Sequence, residues 1–287
     1  MKQYKIITDS CCDFPAEMIP QLDIDLVPLT LQFRDQSVED FTDKSLKQMY
    51  EALRAGEAAS TSAVNPQNWE AVMECALSQG QDVLVLAFSS GLSTTYQSAV
   101  IAAQELAQKY PQRKIRVVDT LCASLGQGLL VWYACKKRDA GMSLEALTDW
   151  CEENKYHLCH WFTVDDLMYL KRGGRVSAAT AVLGTMLNIK PVMHMDDEGH
   201  LIKITTARGR KAAIRALAAK MSALGLPGEN DTVFISHGDC LEDARYLETI
   251  LKEEHGVREV MIGYVGAVIG SHSGPGTLAL FFLGAHR

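Results

Sequence analysis

The sequence predicts an α/β protein of two domains. A parallel-sheet, Rossmann-like domain covers residues 1–158 and a mixed α/β domain covers 159–287. Three observations predict this. The chain has 287 residues, more than the roughly 100–200 of a single domain. In the first half, continuous apolar runs alternate with helical patterns, as strands covered on both faces do. In the second half, Asp196-Asp197-Glu198-Gly199 separates two apolar runs, a hairpin signal that belongs to antiparallel pairing.

The elements follow in order. Residues 5–9, 23–31, 83–88 and 115–119 read as strands. Between them, residues 43–55 form a helical pattern ending at Gly56, a helix-terminating glycine. Residues 66–79 start with Asn65 as cap and Pro66 at the first helical position. Helices at 94–109 and 123–140 follow two of the strands directly, and Ser143 caps another running to about Lys155. The pattern then changes. Residues 158–164 read as a strand, followed by short helical stretches around residues 171–175. Strands at 190–195 and 200–207 flank the hairpin turn. A helix at 209–224, a strand at 231–237, a helix at 241–254 and a strand at 259–266 lead to a final apolar run at 278–284.

Composition narrows the function classes. Hydrophobic residues make up 47% and charged residues 22%, values of a folded globular chain. The 28 Lys+Arg against 35 Asp+Glu give a net charge of -7, which argues against nucleic acid as a partner. No run of about 18 apolar residues is present to span a bilayer, and the N-terminus has no signal-peptide pattern, so a cytoplasmic protein is expected. The eight cysteines are scattered, several in apolar helical stretches, and are expected as thiols.

Four segments are candidates for chemistry. Residues 83–99 place a small-residue loop, Ser89-Ser90-Gly91-Leu92-Ser93, between a buried strand and a helix start. Hydroxyls and helix N–H groups there suit a small anion, carboxylate or phosphate; alternatively Ser93 only caps the helix. Ser60-Thr61-Ser62 is a second hydroxyl cluster, with capping and loop roles as its alternative. Residues 265–280 hold Gly266, Gly270, Gly274 and Gly276 around His272, and lack the lysine of a phosphate-binding Walker loop. Lys171, Arg172 and Arg175 surround two glycines and form a basic spot suited to an anion or an acidic partner. No GxSxG nucleophile elbow occurs. Cys151, His157, Cys159 and His160 fit no common zinc spacing, so no metal is expected. Asp9, Asp13, Asp119, Asp165 and Asp166 show no spacing that pairs any two.

Taken together these segments resemble the DegV family of bacterial fatty-acid-binding proteins. The resemblance rests on residues 8–15 (TDSCCDFP), Thr61-Ser62, residues 88–93 (FSSGLS), 95–99 (TYQSA), 170–175 (LKRGGR), 188–191 (NIKP) and 270–276 (GSHSGPG), and so runs along nearly the whole chain. Thr94 and Ser271 depart from it, where the family usually has glycine and often alanine. The resemblance implies one long-chain fatty acid between two α/β domains, bound by Thr61, Ser62, Ser93 and His272. It implies a tunnel in the C-terminal domain, for which Leu183, Met186, Leu187, Ile189, Val192, Met193, Leu278, Leu280, Phe281 and Phe282 are the candidate lining, with ordinary core as their alternative role. It further implies that the protein presents the ligand carboxylate, with help from Arg175, to a separate fatty acid kinase subunit, which forms an acyl phosphate for phospholipid synthesis. The protein then carries no catalytic residue of its own, needs no cofactor, acts as a monomer and touches a membrane surface only transiently for lipid exchange. The competing reading is a hydrolase or phosphotransfer enzyme using Ser93 as nucleophile and His272 as base.

Overall fold

The computed structural model describes residues 4–38, 42–177 and 188–287. The first half builds a parallel sheet from β1 (Tyr4–Asp9), β2 (Ile24–Val27), β6 (Asp82–Ala87) and β7 (Ile115–Asp119), in the order β2-β1-β6-β7. A short helix, α1 (Met18–Leu22), links β1 to β2, and the chain later returns to the other side of β1 as β6. The strand order therefore reverses at β1. In open α/β sheets ligands sit outside the carboxyl ends of the strands at such a reversal.

The expected strand over residues 23–31 is split. Pro28 has no N–H for a ladder, so β2 stops at Val27 and the chain leaves the sheet. It forms β3 (Thr30–Phe33), which pairs with β4 (Gln36–Val38) and with β5 (Ser60–Ser62) in a small antiparallel sheet that the sequence pattern does not predict. Between β4 and β5 lies α2 (Asp43–Arg54), started by a Thr42–Ser45 capping box. The helix α3 (Pro66–Ser78) is capped by Asn65, whose side chain accepts from the Asn68 N–H at 2.8 Å. After β6 comes α4 (Thr95–Lys109).

The helix α5 (Leu125–Asp139) is the shared core of the molecule. Val131, Ala134 and Cys135 pack on Ile6 and Leu84 of the parallel sheet. Leu125, Leu129 and Leu130 pack on Phe162, Phe234 and Phe281 of the second sheet. A helix apolar around most of its circumference is one buried between two layers. It is followed by α6 (Leu144–Asn154), capped by Ser143.

The second sheet has six strands: β8 (Leu158–Thr163), β9 (Ile189–Met195), β10 (Leu201–Arg208), β11 (Thr232–His237), β12 (Glu259–Tyr264) and β13 (Leu278–Leu283), in the order β10-β9-β8-β13-β11-β12. The helix α7 (Met168–Arg172) follows β8, and α8 (Arg210–Leu224) follows β10. Only β11 and β12 are parallel, joined through α9 (Leu241–His255); the other pairs are antiparallel, including the β9–β10 hairpin. The residues read as a glycine loop after β12 instead form a short helix, α10 (Ala267–Ser273). Among the described residues no helix is long and apolar enough to cross a membrane, and all eight cysteines are free thiols.

Candidate functional site

A cavity of about 490 Å³ lies between the two halves, beyond the carboxyl end of β6. Its walls are largely apolar: Leu29, Phe88, Leu92 and Ala123 from the first half, and Phe162, Leu170, Met195, Val268, Ile269, Ala279 and Phe281 from the second. Thr61, Ser93, Thr94, Arg175 and His272 also line it. The size and the mainly apolar lining are those of a small-molecule pocket.

Residues 88–94 enter the cavity because two carboxylates at strand ends hold the backbone. Asp9, at the end of β1, accepts from the N–H of Phe88 at 2.7 Å and of Cys11 at 3.0 Å. Its burial pushes its pKa up to about 6. Asp119, at the end of β7, accepts from the Ser90 N–H at 3.1 Å. Ser89 donates to the carbonyl of Gly199 at 3.0 Å, so the loop is seated on the β9–β10 turn of the other half. Within the loop, Ser93 is not the cap of α4. Thr94 holds that position without a side-chain bond, while the Ser93 hydroxyl accepts from the Thr95 N–H at 3.2 Å and lies 2.9 Å from the Thr95 hydroxyl.

Thr61 meets His272 across 211 positions of sequence, Oγ1 to Nε2 at 2.8 Å. Burial, with the nearby Arg175 charge, lowers the His272 pKa to about 4, so the ring is neutral at pH 7. A neutral ring that gives its Nε2 proton to Thr61 leaves the Thr61 proton free for a ligand oxygen. Arg175 follows Gly174, whose φ of 72° turns the chain back toward the cavity. Its guanidinium donates to the carbonyl of Leu92 at 3.2 Å and to that of Gly173, and among the described residues it forms no ion pair with a carboxylate. Lys171 and Arg172 point to solvent, Arg172 over the Tyr169 ring at 4.6 Å.

Four of the expected residues, Thr61, Ser93, Arg175 and His272, thus line one cavity. Ser62 does not. Alternate residues of a strand face opposite ways, and Ser62 is exposed on the far side of β5 from Thr61. The expected tunnel wall is also corrected. Of its described residues only Phe281 lines the cavity. Val192, Leu278, Leu280 and Phe282 pack on the opposite face of the sheet, against Ile214 and Leu217 of α8 and Leu247 of α9. Met193 is in the core and Ile189 half-buried, both away from the cavity, while Leu183, Met186 and Leu187 lie outside the described residues. Both faces of the sheet's central strands are covered, so β13 is apolar and buried along its whole length and carries no polarity that marks the cavity side. The chamber itself is shared between the two halves and is not confined to the C-terminal one. A Ser93–His272 pair is not assembled, since Ser93 bonds Thr95 and His272 bonds Thr61. No group of three His, Cys, Asp or Glu suited to a metal is found among the described residues.

Sequence reasoning missed Ser124 and Ser236, and named Asp13 only as an acid without a partner. Ser124 lies on the cavity wall and holds φ 55°, ψ -148°, a conformation that costs a non-glycine residue on the order of 1–3 kcal/mol. Its hydroxyl donates to the carboxylate of Asp13 at 2.5 Å and lies 2.8 Å from the Ser236 hydroxyl. Burial pushes the Asp13 pKa up to about 7. Their only mark in the sequence is that they are short polar residues near strand ends, which any α/β protein contains.

The model of the "Uncharacterised protein, DegV family" matches residues 3–285. A DegV domain-containing protein of Clostridium perfringens is 44% identical over 286 residues, which are 99% of this chain and 98% of that one. A fatty-acid-binding DegV family protein from Thermus thermophilus has a TM-score of 0.88 at 32% identity, covering 98% of this chain and 99% of its own. A Thermotoga maritima protein whose structure reveals fatty acid binding has a TM-score of 0.86 at 30% identity, covering 99% and 100%.

Proposed function

The chain belongs to the DegV family, and from that premise we propose that it binds one long-chain fatty acid and presents its carboxylate to a separate kinase subunit. One observation carries the reading. An apolar cavity has on its wall Thr61, Ser93, a neutral His272 and a guanidinium that, among the described residues, pairs with no carboxylate. A carboxylate leaving water needs donors, and these groups supply them. Each buried methylene of an acyl chain adds about 0.8 kcal/mol, so chain burial supplies most of the affinity while the head group fixes orientation. The similar proteins from Thermus thermophilus and Thermotoga maritima, described as binding fatty acids, support the ligand class.

In the presentation step a carboxylate oxygen attacks the terminal phosphorus of the nucleotide held by the kinase subunit. The bond from that phosphorus to the nucleoside diphosphate breaks, and an acyl phosphate forms. Negative charge builds at the transferring group, and Arg175 is a cationic side chain on the cavity wall. On this reading the protein acts as a cytoplasmic monomer without cofactor or metal and exchanges lipid at a membrane surface in transient contact. Two measurements test it. Organic extraction of the purified protein, followed by mass spectrometry, should release close to one fatty acid per chain. Adding the cognate kinase subunit and nucleotide should then give an acyl phosphate trapped by hydroxylamine. A protein that neither carries nor takes up fatty acid refutes the reading.

A further inference from the structure

The cluster of Asp13, Ser124 and Ser236 joins the two halves beside the cavity, and fatty acid binding as described leaves it unused. Asp13 and Ser124 belong to the first half, Ser236 to β11 of the second. The Asp13 carboxylate also lies against the backbone of Gly266, the residue that opens α10. The contact is tight: a Cβ at Gly266 would fall 2.3 Å from Asp13 Oδ1. Both Asp13 (φ 51°) and Ser124 (φ 55°) hold left-handed backbone, which non-glycine residues keep only where the surroundings impose it. With Asp13 ionised the donors run in one direction. Ser124 donates to Asp13, Ser236 donates to Ser124, and the Leu125 N–H donates to Ser236 at 3.4 Å. The helix that starts at Gly266 carries Val268 and Ile269 along the cavity and ends its last turn with His272. Tyr50 braces it from another side, donating to the carbonyl of Val265 at 2.7 Å.

We infer that Asp13 is a positioning residue for the head-group site: held by Ser124 and Ser236, it pins Gly266 and thereby sets where α10 delivers His272 against Thr61. Asp13 touches no ligand and acts only through the helix. The inference rests on the fatty-acid reading of the cavity for its functional meaning, but its geometric core does not.

The test compares Asp13→Ala, Asp13→Asn and Ser236→Ala with the wild-type full chain. In ligand-free protein, Asp13→Ala should move the ¹⁵N signals of the His272 imidazole, and Asp13→Asn, which keeps a side chain of the same shape against Gly266, should restore them. Oleate affinity should fall about tenfold in Asp13→Ala, the loss of roughly one hydrogen bond to a charged group. Affinity for oleyl alcohol, which has no carboxylate, should change less than half as much on a logarithmic scale. Ser236→Ala should shift both readouts in the same direction by less. His272 signals unchanged in Asp13→Ala would overturn the inference, as would equal weakening of acid and alcohol, which marks a merely structural role. If Asp13→Ala does not fold, Ser236→Ala takes its place, and the same two results overturn the inference. If the wild type takes up no oleate, the functional reading fails, and the His272 signals decide the positioning role on their own.

Discussion

Gly173 lies so close to the His272 ring that a Cβ built on it would fall 2.2 Å from Nδ1. The backbone of Gly173 is ordinary helical, φ -72°, so an alanine there meets no conformational penalty of its own. Only the ring must move. Gly173→Ala should therefore displace His272 from Thr61 and weaken fatty acid binding about tenfold with little loss of melting temperature. In a His272→Ala background the same change should cost almost nothing. Isothermal titration of the four proteins of this cycle measures the coupling.

Thr61→Ala and Ser93→Ala should each weaken binding by about 1.5–3 kcal/mol, the range for hydrogen bonds to a charged group. Thr61 has the larger expected effect, because it also bonds His272. Ser93 bonds Thr95 but is not the cap of α4, so its removal should leave α4 intact. Unchanged affinity in the double variant would remove both from the head-group site.

Arg175→Ala should keep fatty acid binding within a few-fold and lose acyl phosphate formation with the kinase subunit. Its bonds to the carbonyls of Leu92 and Gly173 tie two cavity loops together, so the competing outcome is a joint fall in melting temperature and affinity. Arg175→Lys separates the two further: it keeps a charge but not the planar fork that pairs with phosphate. Full kinase-coupled turnover in Arg175→Ala would leave the residue without a role in presentation.

Stability should depend on pH in opposing ways. Asp13, raised to about 7, and Asp9, raised to about 6, hold protons in the folded chain that the unfolded chain releases near pH 4. Their contribution is complete below pH 4 and is lost as pH rises toward 7. His160, lowered to about 3, and His272, lowered to about 4, do the reverse and cost stability as pH falls below 6.5. The other groups around Asp13 are the Cys11 and Cys12 thiols and the Tyr50 phenol, all pushed up by burial and silent in this window. Asp13→Asn should therefore gain on the wild type as pH rises from 4 to 7. Denaturant titrations at fixed pH values measure it, and a constant difference would refute the assignment.

What the sequence discloses depends on how local the determining signal is. The strands β1, β6 and β7, the Asn65 and Ser143 caps and the β9–β10 turn are all written in neighbouring residues, and each is readable there. The bend at Pro28 is also local, yet the small sheet beyond it depends on β3 pairing with residues 60–62 across α2. The site divides in the same way. Thr61, Ser93 and His272 stand out as small polar residues in loops or at predicted helix starts. Ser62 shares its neighbour's role only if the cluster is a loop, while in a strand only one of two adjacent side chains faces the cavity. The cavity wall is unreadable because sheet faces buried on both sides carry the same residues, and Asp13 with Ser124 because their partnership spans 111 positions.

The groups proposed to hold and present the carboxylate are divided between the two halves: Thr61 and Ser93 stand in one, Arg175 and His272 in the other. A lipid bridging them is bound to neither half alone, so its binding energy enters the melting of both. At a free concentration of 100 Kd that energy amounts to about 2.7 kcal/mol. On the proposed function the ligand is thus a thermodynamic clasp. Delipidated protein should melt in a broader or two-step calorimetric transition, and loaded protein in a single, sharper one at higher temperature.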